Sequence, residues 1–371
     1  MSSANTYIYD KLRERSNLGL YRTLTTGRGL IDFCSNDYLG FARSEALKDL
    51  IRQEHDSQYP VLNGATGSRL ISGNMAYTEA IEQHLAAYYG SQAGLLFNSG
   101  YDANLGLFSS LPQKGDTIIC DELIHASIID GARLSYANRY TFKHNDLDSL
   151  ESKLKAAKGL IYVVIESVYS MDGDTPPIAR ILELTDRYGA NLIVDEAHAV
   201  GLYPAGLVKY LNLENKIFAR IITFGKALGC HGAIVLGKNP LREYLINFAR
   251  SFIYTTALPF HSLVAIKMAH GLLQESTETI TKLRENIKTY KQVIPQYDAY
   301  SESPIQCVIL GSNSKAKQAA AALQQEGLDV RAILSPTVGL GTERIRICLH
   351  AFNTFGEIQQ LSSALNKISN A

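Results

Sequence analysis

Short, β-branched apolar runs alternate with longer amphipathic stretches through the first 240 residues, and this rhythm limits the possible folds more than any other feature. Strands are expected at 30–34, 93–97, 117–121, 160–166, 191–195, 217–224 and 233–237, with helical patterns at 75–89, 147–157 and 178–188. Near-continuous apolar strands spaced by helices indicate an α/β chain with a mostly parallel sheet covered on both faces. In such sheets ligands bind beyond the carboxyl ends of the strands, so polar residues there are the first candidates for chemistry.

The last third reads differently. A long helical pattern follows Leu258 and Pro259 to about Gln292, then a strand at 306–310, a helix at 314–326, strands at 330–333 and 344–348, and a helix from Thr354. Three parts are expected: an N-terminal segment 1–45, a large domain 46–284 and a smaller α+β domain 285–371.

Composition removes several functions. Lys and Arg total 36 against 36 Asp and Glu, so no basic excess exists to neutralise nucleic acid. Apolar runs such as 159–165 are far shorter than the ~20 residues of a membrane span. The first 16 residues mix acids and bases and have no secretory apolar core, which implies a cytoplasmic protein. The five cysteines are scattered without a CxxC pair, and HExxH does not occur, so no metal site is expected.

Four strand ends gather unusual polar residues. Leu192-Ile193-Val194 runs into Asp195-Glu196-Ala197-His198; a helix-capping Asp with a surface His is the plain alternative. Thr223-Phe224-Gly225-Lys226-Ala227-Leu228-Gly229 sets a lysine among small residues directly after a strand, without the glycine spacing of a P-loop. A lysine opposite a strand-tip acid is what pyridoxal phosphate requires: the amine binds its aldehyde, and the acid keeps the pyridine nitrogen protonated. Phe97-Asn98-Ser99-Gly100-Tyr101 opens a helix whose backbone amides suit a phosphate. Asp121-Glu122-Leu123-Ile124-His125 places a histidine past another strand end.

Together these strings resemble the α-oxoamine synthases, pyridoxal-phosphate enzymes of fold type I. The resemblance rests on SNDYLG at 35–40, GSRLISGN at 67–74, FNSGYDANLG at 97–106, DELIHASI at 121–128, ESVYSMDGD at 166–174, VDEAHAVG at 194–201, TFGKALG at 223–229 and RIRICLHAFNT at 344–354. It implies a large, mostly parallel seven-stranded sheet domain and a smaller C-terminal α+β domain. It also implies a homodimer with shared active sites.

The resemblance assigns roles by position. Lys226 would hold the cofactor covalently, Asp195 would face the pyridine nitrogen, and His198 and Ser170 would bond the ring's phenolic oxygen. His125 would stack on the ring. Gly100, Tyr101 and Thr223 would hold the phosphate, with Thr255 or Thr256 supplied by a partner subunit. Arg346, aided by Asn36, would clamp an amino-acid carboxylate, and Arg22 is a candidate for the acyl substrate. Arg344 shares a strand face with Arg346 and reads as a surface ion-pair residue. Ser167 and Cys348 depart from the family's common Gly and Thr.

The implied reaction condenses an L-amino acid with an acyl thioester, carried on CoA or a carrier protein, and loses carbon dioxide. The GATGSRLISGN segment favours L-alanine with a pimeloyl thioester. Glycine with acetyl-CoA, a serine palmitoyltransferase-like reaction and a non-catalytic cofactor-binding protein are the alternatives.

Overall fold

A computed structural model describes residues 3–24, 26, 29–58, 62–295 and 301–369. The chain divides into two compact units, 1–31 and 32–371. In the first, the helix Ala4–Asn17 is capped by the Ser3 side chain and buries none of its residues.

The strands in chain order are β1 (Ile31–Asp32), β2 (Ala93–Phe97), β3 (Thr117–Asp121), β4 (Asn138–Phe142), β5 (Ile161–Glu166), β6 (Asn191–Asp195), β7 (Ala219–Thr223), β8 (Ala233–Gly237), β9 (Ile305–Ile309), β10 (Leu328–Asp329), β11 (Arg331–Ile333) and β12 (Arg344–Cys348). Seven form one sheet in the order β2-β8-β7-β6-β5-β3-β4. All its pairs are parallel except those of β8, which runs against β2 and β7. Alternate residues of these strands, Ile118, Val164, Ile193, Ile221 and Val235 among them, form one buried face. Helices Gly100–Ser110, Ala126–Leu134 and Asn239–Phe248 cover it with Ala103, Leu107, Phe108, Ile128, Leu241 and Leu245. At ~25 cal/mol per Å² of apolar surface, burying that layer drives folding of the sheet domain.

The seventh strand is not the expected one. Of 30–34 only Ile31 and Asp32 are strand, and they lie outside this sheet. Its edge is instead β4, with four of its five residues exposed. Such a strand carries no core-facing apolar pattern to read, and its polar residues protect the open edge.

The C-terminal residues form the antiparallel sheet β11-β12-β9, against which the helix Asn313–Gln325 packs. The helical pattern after Pro259 is two helices, Phe260–Glu275 and Thr277–Val293. Between them the Ser276 hydroxyl donates back to the Leu272 carbonyl (2.7 Å).

Candidate active site

Val194 and its neighbours are buried by the sheet, and the strand delivers Asp195 to the carboxyl edge. Its Oδ2 accepts from Asn104 Nδ2 (2.9 Å) and its Oδ1 from the Ala197 N–H (2.9 Å). The next residue turns elsewhere: Glu196 accepts from Arg220 Nε (2.7 Å) and from the Val208 N–H (2.8 Å), a fully buried pair. One acid thus faces the cleft, while the other is neutralised inside the fold.

Lys226 follows β7 through a turn in which the Cys230 N–H bonds the Phe224 carbonyl. Its Nζ lies 2.7 Å from His198 Nε2, and His198 Nδ1 lies 2.7 Å from the Tyr38 hydroxyl. Burial lowers the Lys226 pKa to about 8, although the charges of Asp195 and Glu166 work in the other direction. Burial, then the Lys226 charge, pushes His198 well below its usual value. Glu166 is raised to about 8, by burial first and then by Asp195, its register partner on the adjacent strand. A buried amine brought this close to neutrality is a competent nucleophile and base.

Beside these groups the helix Gly100–Ser110 begins, its first turn capped by the Ser99 hydroxyl, which accepts from the Asp102 N–H (3.1 Å). A Cβ on Gly100 would stand 3.2 Å from Thr223 Oγ1, so glycine leaves the backbone open towards the strand tip. His125 caps the helix Ala126–Leu134, with its Nδ1 2.7 Å from Ser127 Oγ. Gly100, Tyr101, His125, Asp195, Thr223 and Lys226 line one cleft. The Tyr101 hydroxyl donates to Asp130.

Arg346 is buried and makes two directed bonds, Nε to the Ser170 carbonyl (2.8 Å) and Nη2 to Asn36 Oδ1 (2.9 Å). It is close enough to lower the Lys226 pKa through its charge. Ser170 therefore contributes its backbone carbonyl to the arginine. Arg344 is not a surface residue: it is buried, paired with Asp172, and donates to the Met171 carbonyl (3.1 Å). Ser167 is buried with its N–H on the Asp195 carbonyl (2.8 Å), and Cys348 is buried beside Asn36.

Two residues expected from a partner subunit lie off this cleft in their own chain. Thr255 accepts from Asn98 Nδ2 (2.9 Å) and lines a separate pocket with Arg69 and Ser251; Thr256 adjoins it, exposed. Arg22 is exposed on the N-terminal unit. Conversely, Asn104, Ser127, Glu166 and Tyr38 are site residues that were not singled out. Their signal was a polar residue inside an otherwise apolar buried element: Asn104 is 2% exposed and Glu166 3%. Asn104 Oδ1 and Glu166 Oε1 are buried atoms without a hydrogen-bond partner, both facing a cleft that expects a ligand.

The fold and site define a class. The chain matches the model for aminotransferase class I and II over residues 28–365. The chain belongs to that family and, within it, to the α-oxoamine synthases. It is 42% identical to an 8-amino-7-oxononanoate synthase of Emericella nidulans over 95% of this chain and 92% of that protein. It is 35% identical to one from Alkaliphilus metalliredigens over 98% and 96%. Among solved structures it is similar to the 8-amino-7-oxononanoate synthase of Francisella tularensis (31% identity, TM-score 0.78, covering 92% of this chain and 97% of that one). It is also similar to the serine palmitoyltransferase of Sphingomonas wittichii (26%, TM-score 0.90, 99% and 98%).

Proposed function

We propose that this chain is an acyltransferase that joins L-alanine to a pimeloyl thioester, releasing carbon dioxide and free thiol and forming 8-amino-7-oxononanoate. The observation that carries this reading is a buried, easily deprotonated Lys226 amine sharing a cleft with Asp195, with the Arg346 fork close by. The cofactor is pyridoxal 5′-phosphate. The cleft fits it: an open glycine-led helix N-terminus for the phosphate, an anchored carboxylate for the ring nitrogen, and an amine for the aldehyde. When bound, the cofactor supplies a sink for the electron pair that develops at the substrate Cα.

The residues do the rest. Arg346 takes the alanine carboxylate in its planar fork, with Asn36 fixing the guanidinium. Lys226 would take the Cα proton, and His198 beside Nζ orients it. The Cα electron pair attacks the thioester carbonyl and the thiolate leaves. The carboxylate then departs as carbon dioxide, and a proton returned from Lys226 completes the aminoketone. Asp195 would face the ring nitrogen, with Asn104 and the Ala197 N–H preventing it from swinging away.

The donor is pimeloyl-CoA or its carrier-protein equivalent. We further propose a cytoplasmic homodimer. Thr255 and Thr256 lie off the Lys226 cleft of their own chain, which suits donation to a second copy; all five thiols are free. No helix among the described residues is long and apolar enough to cross a membrane.

Thiol release across a grid of alanine, glycine and serine against pimeloyl-, acetyl- and palmitoyl-CoA tests the reading. L-Alanine with pimeloyl-CoA should give the highest kcat/KM. Each buried methylene adds ~0.8 kcal/mol, so acetyl-CoA should be far poorer. A maximum at glycine with acetyl-CoA would replace the substrates and leave the chemistry standing.

A further inference from the structure

Residues 169–174 form a tight turn, with the Tyr169 N–H on the Asp174 carbonyl (3.0 Å) and the Gly173 N–H on the Tyr169 carbonyl (2.8 Å). Ser170, inside it, offers the carbonyl that fixes Arg346 Nε. From the C-terminal side, Cys307 Sγ bonds the Met171 carbonyl (2.9 Å) and Ser301 Oγ the Gly173 carbonyl (3.0 Å). Those bonds tie the turn to the sheet that carries Arg346. From the cleft side it is tied by Glu166 Oε2, which accepts from the Ser170 N–H (3.2 Å), and by His144.

His144 has carboxylates at both ring nitrogens: Nδ1 is 2.9 Å from Asp121 Oδ1 and Nε2 is 2.8 Å from Asp174 Oδ2. Asp121 is completely buried at the end of β3, four residues before His125. Ionised carboxylates only accept, so a ring that donates to both is an imidazolium; the Asn145 amide nitrogen also stands 3.1 Å from Nε2. Burial opposes that charge, but the two carboxylates outweigh it and raise the pKa to about 10. The Asn145 side chain also donates to Asp174 Oδ2 (2.7 Å), and the Asn145 N–H to Asp121 Oδ2 (3.1 Å). Glu122 takes the His144 backbone N–H (2.9 Å), and the Tyr169 ring stands edge-on at 4.5 Å.

We infer that His144 is a positioning residue for the amino-acid substrate: a cationic brace between Asp121 and Asp174 that sets the 169–174 turn and, through the Ser170 carbonyl, aims the Arg346 fork into the Lys226 cleft. This rests on the proposed function only in taking Arg346 as the carboxylate clamp. His144 is not among the residues that line the Lys226 cleft, so its loss acts on one substrate selectively.

The test compares holoenzymes of wild type, His144→Gln and Asp174→Asn. In His144→Gln the KM for L-alanine should rise about tenfold, with kcat changed less than threefold. The KM for pimeloyl-CoA and the bound-cofactor absorbance should stay as in wild type. Asp174→Asn keeps the Asp121–His144 pair and should raise the L-alanine KM by a smaller factor; it carries the test alone if His144→Gln does not fold. A merely structural role would raise both KM values and shed cofactor together. That result, or an L-alanine KM within twofold of wild type in the folded variants, overturns the inference. If wild type itself fails to turn over L-alanine with pimeloyl-CoA, the substrate assignment fails separately. The same comparison is then made by titrating the cofactor band with the amino acid wild type accepts, where an unchanged affinity overturns the brace.

Discussion

Lys226 Nζ stands 2.7 Å from His198 Nε2, and the contact does not end there. His198 Nδ1 meets the Tyr38 hydroxyl at 2.7 Å, Tyr38 donates to Asn36 Oδ1 (3.2 Å), and that oxygen also takes Arg346 Nη2 (2.9 Å). With Tyr38 donating to Asn36, His198 carries its proton on Nδ1 and presents Nε2 as acceptor to the lysine. Lys226 and Arg346 are thus the two ends of one hydrogen-bonded chain.

Breaking that chain at Tyr38 should uncouple its ends. Tyr38→Phe removes one hydroxyl from a fully buried ring and leaves His198 free to adopt the other tautomer. We expect kcat to fall about tenfold, since a positioned acid–base partner is worth roughly 10²–10⁴ when lost outright. Steady-state kinetics with cofactor content checked by absorbance decides it; an unchanged kcat removes the chain from the mechanism.

Lys226→Ala should abolish turnover. Borohydride treatment of wild type should fix the cofactor ring to Lys226 and to no other lysine, read by peptide mass mapping. An adduct elsewhere defeats the site assignment.

Asp195→Asn keeps the shape and the Ala197 bond but removes the charge proposed to face the ring nitrogen. A loss of several kcal/mol of stabilisation corresponds to roughly 10²–10⁴ in rate. A variant within about threefold of wild-type kcat would contradict the role.

Glu166 gives a pH test on the cofactor-free protein. Its folded pKa is raised to about 8 from an ordinary value of 4.5, so the folded state binds more protons between those values. Its contribution is fully present below pH 4.5 and is lost as pH rises through 8. Glu166→Gln lacks this dependence, so wild-type stability relative to the variant should decline from pH 5 to pH 8. Urea unfolding at three pH values measures it; parallel profiles would sink the prediction.

The residues legible in the sequence were those at the ends of fully buried strands, where an apolar run stops abruptly at a charged side chain. Asp195 after Leu192-Ile193-Val194 and Lys226 after β7 are of this kind, and both line the cleft. Asn104 was hidden because one asparagine within a helix reads as surface, yet it is buried between Ser127 and Asp195. Strand β4 was hidden because an edge strand with polar, exposed faces lacks the signature of its central neighbours. Arg344 was misread because alternation places it on a face without saying what covers that face; Asp172 and the Met171 carbonyl do.

The Arg346–Asn36 bond joins stretches of chain that are made at very different times. Arg346 lies 120 positions beyond Lys226 (346 − 226) and 310 beyond Asn36, the residue it grips. On a ribosome the strand tips bearing Asp195 and Lys226 emerge long before β12 does. Every residue lining the strand-tip cleft is therefore synthesised before Arg346. With Arg346 as the proposed carboxylate clamp, specificity for the amino acid would be the last part of the site to be made.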